Sequence, residues 1–195
     1  MHPKSWLSRY RNTSILYLTT MLLFYHGLGF VFTIIGMFVV ENTISNYQEP
    51  ALPRSLVSVL TAGPIEETLF FGIPFYAFGN HIVLLIGGIA WAMIHILNTS
   101  MIDIRSLAYA NWLFVVPSFF FSIRTWISGK GWFAIIAHSV WNAIFFSFAC
   151  VAGENSCVSL RYSNNQATEI ILVIVAGALL GLTFFLYRTK SDKIH

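Results

Sequence analysis

From Ser14 to Val40 the chain carries no Asp, Glu, Lys or Arg. A bilayer crossing asks for about 20 apolar residues in a helix, and this run meets that length. It is longer than the apolar core of a secretion signal, about 7 to 15 residues, and no small-x-small cleavage site leading into a soluble domain follows it. A retained membrane helix is therefore expected. The rest of the chain agrees. Of 195 residues, 56% are hydrophobic and 10% charged, against about 25% charged in soluble domains. A water-facing surface cannot be built from so few charges.

Four more segments read directly as spanning helices: Ile82 to Leu97, Leu107 to Ile127, Trp132 to Val151 and Glu169 to Tyr187. A sixth, Leu56 to Phe78, is apolar enough but is interrupted by Gly63, Pro64, Glu66, Glu67 and Pro74. Breakers and carboxylates at membrane depth are tolerated only where protein or a water-lined cavity satisfies them. The expected fold is all-α, a polytopic transmembrane helical bundle of about six spans, one of them interrupted by Gly-Pro. Neither a repeat nor a linker divides it, so residues 1–195 read as a single integral membrane domain.

Basic residues sit at the ends of the apolar runs. Lys4, Arg9, Arg11, Arg188, Lys190 and Lys193 flank the termini, and Arg124 with Lys130 falls in the loop between the fourth and fifth spans. The positive-inside rule then puts both termini in the cytoplasm, with a cell membrane as the expected location. The net charge of +3 reads as this topology signal. No basic patch suited to nucleic acid is present. Cys150 and Cys157 fall near the outer loop, where one disulfide or two thiols fit equally. Gly177 and Gly181 form a GxxxG in the last span. Its expected use is close packing inside the bundle, with a helix–helix partner through Gly177 and Gly181 as the alternative.

A charged carboxylate at the bilayer centre costs about 2.5 to 3.5 kcal/mol even on the lenient insertion scale. Glu66 and Glu67 need a reason to be there. Gly63-Pro64 is suited to end one helical segment and begin another, whose amide-bearing end favours carboxylate charge. Two adjacent acids repel, so one of them is expected to hold a proton, which makes the pair usable for acid–base chemistry. His95 lies one turn after Trp91, and Asn142 one turn after His138, so each pair shares a helix face. A lone intramembrane histidine or asparagine is usually packing glue. Two histidines, one asparagine and two glutamates in three spans favour a functional site over glue. His26 has no companion and reads as packing, while His2, His81 and His195 lie at ends or loops. Tyr109, Trp112, Trp126 and Trp132 read as interfacial anchors. Pro117 is expected to kink its span.

The segment Glu66-Glu67-Thr68-Leu69-Phe70-Phe71-Gly72, then Trp91-xxx-His95, then His138-xxx-Asn142, resembles the three ordered motifs of the CPBP family of intramembrane proteases. That family, also called Abi, includes the CAAX prenyl endopeptidases of the Rce1 type. Its patterns are EExxxR, FxxxH and HxxxN on separate membrane helices. The likeness runs from about Pro64 to Phe146, within a family-like core of about 55–151.

The resemblance implies an intramembrane glutamate-dependent endopeptidase acting on a membrane-associated peptide or lipidated protein. Glu66 would activate a water, with Glu67 beside it and His95 helping to hold that water. His138 and Asn142 would stabilise the oxyanion. Glu66, Glu67, His95 and His138 are also the candidate ligands if a divalent metal such as Zn²⁺ is used, and a metal-free glutamate site is the preferred reading. Trp91 replaces the motif Phe, an aromatic for an aromatic. Phe71 stands where the family has Arg, which would pair with a carboxylate and orient it. A second reading follows: a catalytically inactive member acting as a structural or assembly subunit of a membrane complex. A small carrier is a weaker reading, since no duplicated halves are visible.

Overall fold

The computed structural model describes residues 13–24, 26–28, 31, 54–97, 111–152, 158–159 and 166–194. The described residues are almost wholly helical. In chain order they form α1 (Ile15–Leu28), α2 (Leu56–Glu66), a π-helical turn (Glu67–Gly72), α3 (Ile73–Phe78), α4 (His81–Leu97), α5 (Asn111–Ile127), α6 (Gly131–Ala152) and α7 (Gln166–Ile194). A two-residue parallel pairing joins β1 (Arg54–Ser55) to β2 (Val158–Ser159).

Where they are described, all six apolar segments are helical. Among the described residues, two helices are both long and apolar enough to cross a membrane: Leu56–Phe78, with 23 residues, and Gln166–Thr189, with 24. At 1.5 Å per residue these reach about 34 and 36 Å, enough for a hydrocarbon core of about 30 Å. The apolar stretches Ile15–Leu28 and His81–His95 are shorter. Of the first expected span residues 32–40 lie outside the described residues, as do the start of the fourth, 107–110, and Cys157, His2 and His195.

The helices fall into two compact units. The first comprises Met1–Gln48 with His81–Lys130, and the second Glu49–Asn80 with Gly131–His195. In the first unit α1 docks on α5. His26, buried, donates from Nδ1 to Leu22 O at 3.2 Å, so its Nε2 accepts from the Ser118 hydroxyl at 3.0 Å. Its ring meets Phe121 edge-on. Both nitrogens are satisfied, as a packing histidine requires. Arg124 lies within α5 rather than in the loop expected for it, its guanidinium 4.4 Å from the Tyr17 ring centroid. Trp126 is also a correction. It is 2% exposed, buried with Ile123 and Ile127 in the end of α5, so it fills a core rather than anchoring at an interface. Trp132 is half exposed, as an anchor should be. α5 continues across Pro117.

In the second unit, the expected break at Gly63-Pro64 does not occur. α2 runs through both residues, with Pro64 inside it. The Ser55 hydroxyl caps its start by accepting from the Ser58 amide at 3.1 Å. A proline inside a helix leaves the carbonyl four residues earlier without its donor, here Leu60 O. The Ser139 hydroxyl of α6 donates to that carbonyl at 2.8 Å. Beside it, a Cβ on Gly63 would lie 2.3 Å from Ser139 Oγ and 2.6 Å from Ile135 O. Gly63 and Pro64 therefore form a seat for α6, and the helix survives because a neighbour replaces the missing donor.

The irregularity falls one turn later, where the helix widens over Glu67–Gly72. α3 then ends on Gly79, whose φ of 63° is left-handed and whose amide donates to Phe75 O at 2.9 Å. α7 touches its unit along one line. Glu169, Ala176 and Thr183, at heptad spacing, are buried, and Tyr187 meets Tyr76 edge-on at 5.4 Å. Most of its other side chains are exposed, as a lipid-facing helix requires. Gly177 and Gly181 fall outside that line. Among the described residues nothing comes within 4 Å of a Cβ built on either, so the GxxxG does not provide the close packing expected of it there.

Replacing Gly63 by alanine pushes a methyl into backbone atoms of α6 that cannot yield. The expected cost is about 1 to 3 kcal/mol, the usual range for overpacking, read by thermal unfolding in detergent. Gly177→Ala should stay within about 0.5 kcal/mol of wild type. Equal effects at the two positions would contradict the seat.

Candidate functional site

Three of the five candidate side chains meet within the second unit. Glu66 is the last residue of α2, Glu67 opens the π-helical turn, and His138 lies on α6 next to Ser139. In a regular helix, neighbouring residues project about 100° apart (3.6 residues per turn), which carries adjacent carboxylates to different sides. Here a single imidazole receives both. Glu67 Oε1 accepts from His138 Nδ1–H at 3.2 Å, and His138 Nε2 stands 3.7 Å from Glu66 Oε2. The second distance is beyond a hydrogen bond. π-helical turns of this kind recur at functional sites, where the extra residue re-aims side chains.

Burial separates the two acids. The Glu67 side chain is 2% exposed and that of Glu66 is 25% exposed, with His138 at 14%. Glu67 is therefore held inside protein, and its contact with His138 offsets the cost of removing a carboxylate from water. Glu66 keeps access to whatever enters. With a carboxylate at each nitrogen, the ring can receive a proton from one side and return it. The π turn itself is supported by Thr68, whose hydroxyl donates to Pro64 O at 2.5 Å.

These positions differ from the expectation that the glutamates sit near the amide-bearing start of a new helix. Pro64 does not open a segment, and Glu66 and Glu67 lie in the interior of one continuous span. What lies beside them is an imidazole rather than a helix dipole.

Asn142 is one turn beyond His138 on α6 and half buried. His95 belongs to the first unit, near the end of α4. Its Nδ1–H donates to Trp91 O at 2.8 Å, and its ring lies over Trp91 with centroids 4.4 Å apart. The Trp91–His95 pairing on one helix face is thus present. Phe71 has no exposed surface. Where the family motif carries a cation, this chain buries an aromatic ring, and the partner of Glu67 is His138.

Sequence reading missed Ser139. Its signal was available, since a proline inside a span requires a donor for the carbonyl four residues before it. Among the described residues, no three His, Cys, Asp or Glu side chains are arranged to hold a metal ion. His138 Nδ1 donates to Glu67, which leaves Nε2 as the nitrogen that a metal would use.

Residues 48–144 match the family described as type II CAAX prenyl endopeptidase Rce1-like. The match takes in all three motifs and about half of the chain. Nothing among curated proteins or solved structures matches.

If Glu67 and His138 act as one unit, their removals should not add. Glu67→Ala and His138→Ala, alone and together, are expected to show a coupling of about 0.5 to 3 kcal/mol in detergent unfolding, the range for residues in one network. Strict additivity would show that the contact is not formed.

Proposed function

The chain belongs to the Rce1-like family, and on that premise we propose that it is an intramembrane endopeptidase whose water is activated by Glu66. The observation that supports this reading most strongly is the enclosure of one imidazole by two carboxylates of unequal exposure. A packing role needs only one partner for each polar group. A hydrolase needs a base open to substrate, a donor beside it and a fixed group holding that donor, as in catalytic triads on unrelated folds.

In the proposed reaction Glu66 takes a proton from water as the oxygen attacks the scissile carbonyl carbon. By the resemblance to the family, His95 would help hold that water. The carbonyl π pair moves onto oxygen, and His138 Nε2–H and the Asn142 amide donate to that oxyanion. Such preorganised donors contribute about 3 to 4 kcal/mol each in other hydrolases. Collapse breaks the C–N bond, and the proton held by Glu66 passes to the leaving amine. Glu67 does not touch substrate. It fixes the ring of His138, taking that charge partner in place of the arginine that Phe71 replaces.

The substrate class is a membrane-associated peptide or lipidated protein, with prenylated CAAX peptides as the first to test. The two apolar spans and the family both support placement in a membrane. A cell membrane with both termini cytoplasmic follows from the basic flanks. A catalytically silent subunit is the competing reading, favoured by the buried Phe71 alone.

In proteoliposomes with a prenylated CAAX peptide, Glu66→Gln should lower cleavage by at least about a thousandfold, in line with loss of a base in other hydrolases, with the unfolding temperature kept. Cleavage retained at wild-type rate would point to the subunit reading. A metal-free site also predicts full activity after EDTA and gel filtration. Activity lost there and restored by Zn²⁺ would overturn that part.

A further inference from the structure

We propose that Ser139 is a positioning residue for this site, acting through His138 by locking α6 in register against α2. Three observations converge on it. Pro64 withdraws the donor of Leu60 O, and Ser139 Oγ supplies one from the other helix at 2.8 Å. Gly63, beside it, has no room for even a methyl group, so the two backbones are in contact at this point. Ser139 is also the residue after His138, whose Nδ1 reaches Glu67 one turn along α2 from the seat.

A hydrogen bond between helices fixes their sliding as well as their separation, whereas the small-residue contact at Gly63 fixes separation alone. Leu60 O accepts from Ser139 Oγ in place of the amide that Pro64 lacks, so breaking the link leaves a helix carbonyl without its donor. The distance from Nδ1 to Glu67 is 3.2 Å, close to the limit of a good hydrogen bond. A slide of about 1 Å would break it, and misplacements of that size cost about a hundredfold in catalysis.

The kinetic part of the test rests on the peptidase reading above, and the spectroscopic part does not. Pro64→Ala restores an amide that can donate to Leu60 O within α2, so it separates satisfying that carbonyl from linking the helices. In proteoliposomes with a prenylated CAAX peptide, Ser139→Ala should lower kcat about ten- to a hundredfold with KM within about twofold. Pro64→Ala should stay within about twofold of wild type, because Leu60 O has a second lone pair to which Ser139 can still donate. The double variant should regain wild-type thermal stability yet keep the kcat loss. Return of kcat in the double variant would overturn the proposal, because Ser139 would then only satisfy a carbonyl. Independently, the His138 Nδ1–H proton in ¹⁵N-histidine NMR should be present in wild type and lost in both Ser139 variants. Its persistence would also overturn the proposal. If wild type cleaves nothing while that signal behaves as stated, the peptidase reading fails and the positioning role stands.

Discussion

At Gly63 the backbone of α2 meets the backbone of α6 and the small side chain of Ser139, and the polar chemistry of the second unit hangs on that contact. Ser139 Oγ and Ile135 O occupy the space a Cβ would take. The next residue, Pro64, opens a carbonyl to which Ser139 donates. One dipeptide thus creates both a close approach and a reason for α6 to stop at one register. With that register set, His138 falls beside the first residue of the π turn. In lipid, where apolar packing between helices has no water to escape from, such backbone contacts and interhelical hydrogen bonds carry association.

The second constraint is the cost of carboxylates in an apolar span. Glu67 is almost wholly enclosed and is tolerated because His138 meets it. Glu66 is left more open and only 3.7 Å from the other nitrogen of the same ring. The enclosed acid holds the ring, and in the proposed reaction the open acid is the base. Phe71 is consistent with that arrangement. At its fully buried position the aromatic ring brings no cation to Glu67, which accepts from the imidazole instead.

Much of this was legible in the residues. Where they are described, the six apolar segments are helical, and the Glu66-Glu67, Trp91-His95 and His138-Asn142 pairs led to the family later matched over residues 48–144. Helical spacing alone also placed Trp91 against His95, because that contact is local. The errors came where a tertiary partner decides. Gly63-Pro64 reads as a break in isolation and becomes a docking seat only when Ser139 is adjacent. Trp126 resembles an interfacial anchor by its place near a span end and is buried instead. The GxxxG of α7 signals close packing, yet the helix leans on its unit through Glu169, Ala176 and Thr183. Nor could a π turn be foreseen, since its sequence Glu67–Gly72 contains no residue that excludes an ordinary helix.

In the proposed reaction this cluster delivers a water oxygen to a peptide carbonyl. Cleavage of a prenylated CAAX peptide by the purified wild-type protein in H₂¹⁸O, with both products read by mass spectrometry, tests that step. The expected products are the free C-terminal fragment and a prenylated fragment with one ¹⁸O atom in its new carboxylate. Intact peptide after prolonged incubation, or a product without solvent oxygen, would contradict it.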